Sequence, residues 1–543
     1  MTAARLPTPP KSTPAPIDVT ILKAARLAAQ RVRPRHSATA EARAALCLTL
    51  LRDAAHPALA SFKELISSLP IDERHYWVGT LYTLLLPPKV RREQAAYFTP
   101  PLVAEAVLSL VIEAGFDPAR HSVLDPAAGG AAFLSTIAGR KLALGIAPAE
   151  AAKQLHGYEL DAGLAEISIG LISDRLGTKA SRKLITVRDA LTAAARPVYG
   201  LVVANPPYGR ITPDDLSDIR WQKVAQSGHI NKYAVFADLA LRSAAPGGFV
   251  ALVIPSSFRA GPYYDRLRFH LRSQAQILSI GTIASRDGMF ADVAQDISVL
   301  IMRKGAPHDA SRPVAFPVVP PQPNLTVRTA KLPVDAKKPW PTPVAADRHV
   351  GGATLADYDV EVRTGYFVWN REKSRLVESN PGNAYPLIWA KNVKAGRLCS
   401  PAGKYGEQID FVTFANKSTA IIRSPAAVLQ RTTNDLQSRR LVAAVVDPAV
   451  TKEWGGFVTE NHTIALIGKS QARLRLVVAL LNTKAVDDRY RKVSGTAAIS
   501  VTLLRGLDLP LPDRFQAALE SSGDAEAAAK LAYSNAALPK VPK

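Results

Sequence analysis

The chain has 543 residues, enough for about three to four domains of ordinary size. Hydrophobic residues make up 47% and charged residues 21%, the balance of a folded soluble protein rather than of a disordered or fibrous one. Lys and Arg outnumber Asp and Glu by 68 to 46, a formal charge of +22. That sign favours a polyanionic partner, nucleic acid first and an anionic membrane surface second, against the plain alternative of a basic surface kept for solubility.

Cys47 and Cys399 are the only cysteines and stand too far apart for a metal-ligand pattern. So few thiols point to a reducing, cytoplasmic setting. No stretch approaches the roughly 20 continuous apolar residues of a membrane span. The start of the chain has no apolar signal core, so the reading is no secretion and no membrane.

Residues 1–18 are Pro-rich and read as a disordered tail. Residues 19–90 carry helical apolar spacing (ILKAARLAAQRV, EARAALCLTLLRDA) and predict a helical N-terminal region. Thr99 stands near the start of the next helix, with Pro100 and Pro101 in its first turn. Ser122 to Asp125 is a short strand ending in an acid, and Pro126 to Ala132 is a turn of small residues that leads into a helix at Phe133. Small residues let a ligand approach the backbone, and the helix start offers N–H groups, although this pattern also occurs in α/β folds without a ligand.

A second strand ends at His156-Gly157-Tyr158-Glu159-Leu160-Asp161. An acid at this tip suits ribose hydroxyls. For Asp161 a helix N-cap role is equally open. A third strand leads to Arg188-Asp189-Ala190, and a fourth, Leu201 to Ala204, runs into Asn205-Pro206-Pro207-Tyr208. Two prolines fix the backbone there. The Asn205 side-chain oxygen and the Pro206 carbonyl can accept two hydrogen bonds from one planar NH2 group, and the Tyr208 ring offers a face for stacking. Four strand ends with polar tips predict one pocket at the carboxyl edge of a sheet.

Further on, Lys232 to Ser243 reads as helix, Phe249 to Ile254 as strand, Tyr263 to Ser273 as helix and Ile297 to Met302 as the last strand. This places an α/β domain over 91–305. Residues 306–345, rich in Pro, read as a linker. From 346 to 515 the pattern changes to short β-prone runs with aromatic and basic residues, and 516–543 reads as an Ala-rich helix or tail. Trp369, Arg371, Lys391, Arg397, Lys404, Arg431, Arg439 and Arg440 suit phosphate contact and base-edge reading, each set against an ordinary solvated role. His156, His229 and His462 lack ligand spacing, so no metal is assigned.

The ordered series AAYFTPPLVAEAVL, VLDPAAGGAAFL, GYELD, RDAL, NPPYG, NKYAVF and GGFVALVIPSSF resembles the amino-methyltransferases that use S-adenosylmethionine. With the Phe-Thr-Pro segment first and a recognition region last, the chain is similar to the gamma class of N6-adenine DNA methyltransferases, which serve restriction systems. The likeness covers 91–305 closely and 346–512 loosely. It implies a Rossmann-like methyltransferase domain with a helical N-terminal extension and a C-terminal mixed α+β target-recognition domain.

The resemblance assigns cofactor contacts to Thr99, Asp125, Pro126, Ala127, Gly129, Glu159, Asp189, Ala190 and Asn205. In particular it gives Glu159 the ribose, Asp189 the adenine amino group and Thr99 the methionine part. The family's Cys, Thr and final Gly in the small-residue turn are here Ala128, Gly130 and Ala131. Asn205, Pro206 and Tyr208 carry catalysis, and Tyr208 and Phe290 stack on a base flipped out of the duplex. For Phe290 an ordinary core role stays open. Implied partners are double-stranded DNA, contacted by Arg371, Lys391, Arg431, Arg439 and Arg440, and a separate restriction endonuclease, with the protein a monomer.

Competing readings use the same chemistry on a protein glutamine amide or on RNA, or make the chain a nonenzymatic DNA-binding subunit. The first predicts a shorter chain without a basic C-terminal half, and the intact Asn-Pro-Pro-Tyr argues against the last. The N-terminal 90 residues are too short and too helical for a fused nuclease.

Overall fold

The computed structural model describes residues 18–32, 38–87, 98–211, 221, 223–224, 230–259, 264–283, 297–319, 327–335, 338, 340, 351–377, 382–399, 411–432, 439–493 and 499–534. The chain divides into two compact units, Met1–Phe258 with Tyr263–Lys338, and Arg259–Pro262 with Pro339–Lys543.

The first unit begins with helices Val19–Arg31, Ala40–Leu48, Ala60–Ser67 and Ile71–Leu85. Asp18 caps the first through Thr20 N–H at 2.8 Å, and Thr39 caps the second through Ala42 N–H at 3.1 Å. These helices pack on a later helix, Ala162–Leu176, through two of its glycines. A Cβ on Gly163 would lie 2.2 Å from the Tyr82 hydroxyl, and one on Gly170 would lie 2.3 Å from Leu48 Cδ2. The helical region therefore shares a core with Leu164, Ile167 and Leu171 instead of standing apart.

The sheet is built from β1 (Val123–Asp125), β2 (Leu155–Glu159), β3 (Ile185–Val187), β4 (Tyr199–Ala204), β7 (Ala244–Pro255), β8 (Ala275–Ile283), β9 (Ile297–Lys304), β10 (Val314–Phe316), β11 (Val318–Val319) and β12 (Arg328–Ala330). A separate antiparallel pair, β5 (Arg210–Ile211) and β6 (Ile230–Asn231), follows β4. The order is β12-β10-β8-β9-β7-β4-β1-β2-β3, with β11 beside β8. Strands β3, β2, β1, β4 and β7 run parallel, and β9 is antiparallel between β7 and β8. Every residue of β1 and of β4 is buried, as central parallel strands covered on both faces must be.

From β1 the chain moves outward through β2 and β3, then returns to place β4 on the other side of β1. Registers Val123↔Leu201 and Leu124↔Val202 bring the ends of β1 and β4 side by side. This reversal is a topological switch point, where a crevice opens at the carboxyl edge.

Two sequence boundaries need correction. The stretch 306–345, expected as a linker, supplies β10, β11 and β12 to this sheet. Strands of two or three residues at an edge carry too little apolar periodicity to be seen. The strand β8 also went unread, as did the sheet's continuation past β9.

The second unit holds an antiparallel sheet of Val360–Thr364, Thr463–Gly468, Ala426–Gln430 and Ala443–Val445, and a mixed sheet of Leu376–Val377, Phe411–Thr413, Ala384–Ile388 and Val458–Thr459, the last two paired in parallel. Helix Gln471–Leu481 packs with Pro512–Ser522 and Ala525–Tyr533 in one apolar core. Of the two readings of 516–543, helix is the one found as far as Tyr533, and the tail reading is corrected there, because Ala518, Ala528, Ala529, Ala532 and Tyr533 are buried. Alanine faces pack closely without announcing themselves as apolar in sequence.

Candidate active site

The turn after β1 is held by side chains from two neighbouring strand ends. Asp125 Oδ1 accepts the Ala127 N–H at 3.0 Å, Glu159 Oε2 accepts the Gly129 N–H at 2.8 Å, and Glu159 Oε1 accepts the Asp161 N–H at 2.9 Å. Gly129 and Ala131 both adopt left-handed backbone, at φ 52° and 54°, so the turn curls tightly. Its amides at Ala127, Ala128, Gly129 and Ala131 are taken up by Asp125, the Tyr158 carbonyl, Glu159 and the Ala128 carbonyl. Asp125 is fully buried, and loss of water pushes its carboxyl up to about 7, with the nearby Glu159 carboxylate adding to the rise. Burial likewise raises the Glu159 carboxyl.

Asp161 takes the helix-capping role: its Oδ1 accepts Leu164 N–H at 2.9 Å and the Tyr82 hydroxyl at 2.6 Å. Asp189 lies exposed beyond β3 and accepts Leu191 N–H at 2.9 Å. Ala190 is buried beside Phe236 and Leu239, with Ala127 and Tyr158 packed against the same small cluster.

At the end of β4, Asn205 Nδ2 donates to Thr99 Oγ1 at 3.1 Å. The Tyr208 hydroxyl contacts Asn205 Oδ1 at 2.5 Å and the Val253 carbonyl at 3.1 Å. Pro206 is buried, and the Tyr208 ring packs on the sheet core, so burial drives its phenol well above the ordinary range. The sequence expects a Tyr208 face turned to a ligand; in this structure the ring is folded back and its hydroxyl takes the Asn205 acceptor. Phe290 lies outside the described residues.

Thr99, Asp125, Ala127, Gly129 and Asn205 line one pocket, with a cavity volume of about 40 Å3. Phe98, Phe133 and Leu164 line it too and were not singled out from sequence. Phe98 adjoins Thr99, and an aromatic beside a residue to which the resemblance assigns a cofactor contact was the available signal. The lining fits S-adenosylmethionine through Cβ-free turn positions at Gly129 and Gly130 for a close backbone approach and apolar walls from Phe98, Phe133 and Leu164. Glu159 does not line it, because its two oxygens are taken up by the Gly129 and Asp161 N–H groups.

In the second unit one basic candidate, Arg431, meets the turn Glu460–Thr463. Arg431 donates from Nη1 to the Asn461 carbonyl at 3.1 Å and from its backbone to the His462 carbonyl at 2.7 Å. Gln430 Nε2 donates to the carbonyls of Ala390 and Val393 at 3.0 and 2.8 Å, drawing the half-buried Lys391 to the same end of the sheets. Arg371 lies in the short helix Trp369–Glu372. Arg439 donates to the Asn482 carbonyl, elsewhere in the unit. Arg440 is only 5% exposed beside Asp487, which corrects its assignment as a DNA-contacting residue. Among the described residues no helix is long and apolar enough to cross a membrane.

A mixed sheet with this parallel half, switch point, Gly-rich turn and strand-tip acids is that of an S-adenosylmethionine-dependent methyltransferase. More particularly, residues 76–317, within the first unit save for Arg259–Pro262, match the family described as N-6 DNA Methylase. The chain is 25% identical to the type II methyltransferase M.BsuBI of Bacillus subtilis, over 78% of this chain and 89% of that one. It is 23% identical to the type II methyltransferase M.PstI of Providencia stuartii, over 61% and 69%. The fold is shared with the type IIL restriction-modification enzyme MmeI in complex with DNA (12% identity, TM-score 0.50, 88% of this chain and 78% of that one). It is shared equally with DrdV in its DNA complex (12% identity, TM-score 0.50, 90% and 70%).

Proposed function

We propose that the protein is a site-specific DNA methyltransferase that moves a methyl group from S-adenosylmethionine to the N6 amino group of an adenine flipped out of duplex DNA. The observation that supports this reading best is the amide of Asn205 at the switch point, clamped by Thr99 at 3.1 Å on the wall of the pocket. The cofactor, when bound, supplies an electrophilic methyl carbon on a sulfonium.

Thr99 holds the amide through Nδ2, so once the Tyr208 hydroxyl has left Oδ1, Asn205 Oδ1 and the Pro206 carbonyl meet the two N6–H donors in a set geometry. Accepting both hydrogens draws the nitrogen towards a tetrahedral shape and frees the lone pair that the ring otherwise delocalises. That pair would form the N–CH3 bond with the methyl the bound cofactor supplies, its sulfur keeping the C–S electrons, and the extra N6 proton would leave afterwards to solvent. No strong base is needed before transfer. Tyr208 rotates from its folded-back position to stack on the base, with Phe290 as the second ring.

The second unit grips the duplex, with Arg431 as a cation at the Glu460–Thr463 turn and Lys391 as a second cation of the same unit. Relatives named as type II methyltransferases support a protective role beside a separate restriction endonuclease. Duplex DNA from cells expressing the protein is sequenced for modified adenines. Methyl-N6-adenine at one recurring site is expected; label entering polypeptide and not DNA overturns the reading. Asn205→Ala is expected to bind cofactor and abolish transfer.

A further inference from the structure

Positions 75, 79 and 82 lie on one face of the helix Ile71–Leu85, at i, i+4 and i+7. All three meet the elements that build the cofactor pocket. His75 Nδ1 lies 3.1 Å from Ser135 Oγ, on the helix that follows the Gly-rich turn. The Tyr82 hydroxyl donates to Asp161 at 2.6 Å, and the Asp161 N–H in turn bonds Glu159 at 2.9 Å. Between them position 79 has no side chain at all.

The missing side chain has a definite occupant. A Cβ on Gly79 would lie 2.6 Å from Phe98 Cε1 and 2.9 Å from Cδ1. A Cβ on Gly130 would lie 1.8 and 2.2 Å from the same two atoms. One edge of the Phe98 ring is therefore lodged between the N-terminal helix and the cofactor turn, and the ring forms pocket wall beside Thr99 and Asn205. A buried glycine inside a 15-residue helix is disfavoured by roughly 1 kcal/mol relative to alanine. Its retention is explained by the space it leaves.

We propose that Gly79 is a positioning residue for cofactor binding: it seats Phe98 against Gly130 and so sets the width of the S-adenosylmethionine pocket from a helix outside the sheet. This rests on the methyltransferase reading above. A side chain at 79 pushes the ring either into the pocket or off the turn, and both outcomes weaken the cofactor.

Calorimetric titration of S-adenosylmethionine into the full chain tests this, with Gly79→Ala, Phe98→Leu and the double variant, alongside thermal melts. Gly79→Ala is expected to lose about tenfold in affinity while its melting temperature holds or rises, since alanine favours the helix. Phe98→Leu is expected to lose affinity by itself. In the Phe98→Leu background Gly79→Ala should cost nothing more, because the contact it disturbs is gone. Wild-type affinity in Gly79→Ala, or the same loss in both backgrounds, overturns the proposal. Should Gly79→Ala fail to fold, unchanged affinity in Phe98→Leu overturns it alone. A wild-type protein that binds no S-adenosylmethionine overturns the functional reading first, and this proposal with it.

Discussion

The Tyr208 hydroxyl bonds Asn205 Oδ1 at 2.5 Å while the same amide reaches Thr99 through Nδ2 at 3.1 Å. The acceptor assigned to the substrate is thus engaged by the residue assigned to stack on it. Entry of a base and rotation of Tyr208 are two halves of one exchange. Tyr208→Phe keeps the ring and removes the competing hydroxyl, so KM for DNA should stay within about threefold of wild type or fall. Tyr208→Ala also removes the stacking face, worth about 1–3 kcal/mol per base, and should lower kcat/KM by about 10- to 100-fold. Steady-state methylation of duplex substrate measures both; a Phe variant as impaired as Ala would assign the hydroxyl itself a chemical task.

Asp125 predicts a pH dependence of stability. Its folded-state carboxyl titrates near 7, above the ordinary carboxylate value, so between about pH 4 and pH 7 the folded protein holds a proton that the unfolded chain has released. That contribution to stability falls as pH rises through this window. Asp125→Asn lacks it and can still accept the Ala127 N–H. Its melting temperature should therefore gain on wild type steadily from pH 4 to 7; a constant difference would rule the buried carboxyl out as the cause.

His75 acts in the opposite direction. Burial lowers its imidazole below the usual 6.5, while its Nε2 pairs with Asp174 at 2.9 Å. As pH falls below 6.5 the unfolded chain takes up the proton first, so stability drops. His75→Asn should be less stable at pH 8 but should show a flatter melting-temperature profile between pH 6.5 and 5. An unchanged slope would remove His75 from the account.

Ala131 stands at φ 54° where the resembled family has glycine. A left-handed alanine costs roughly 1–2 kcal/mol, partly offset by the greater freedom of glycine in the unfolded chain. Ala131→Gly is expected to stabilise by about 0.5–1 kcal/mol, read as a small rise in melting temperature, with cofactor affinity kept or improved.

In the second unit Tyr366 and Trp369 are 52% and 46% exposed, flanking the fully buried Phe367. Backbone bonds from Gly365 and Phe367 to Thr463 and Thr459, at 2.9 and 3.1 Å, mount them rigidly. With Lys373 and Arg375 exposed beside them, they make an aromatic and basic face suited to nucleic acid. Trp369→Ala should weaken duplex binding by about tenfold and leave S-adenosylmethionine affinity unchanged, as gel shift and calorimetry can show.

The sequence by itself determined what is set locally: strand β4 from its unbroken apolar run, the stop after it from Pro206 and Pro207, and the turn after β1 from its small residues. Those features depend on residue type and neighbour, so they can be read in one dimension. The edge strands β10 to β12 and the packed Ala-rich helices could not be, because their apolar surface is too short or too small to leave a period. Only the tertiary structure decided that β4 returns beside β1, which brings Thr99 to Asn205 across 106 residues. It also decided that Phe98 fills the space above Gly79, and that Arg440 points inward while Arg431 meets the Glu460–Thr463 turn. Those are meetings between distant segments, fixed by strand order and close packing, and no single stretch of chain contains them.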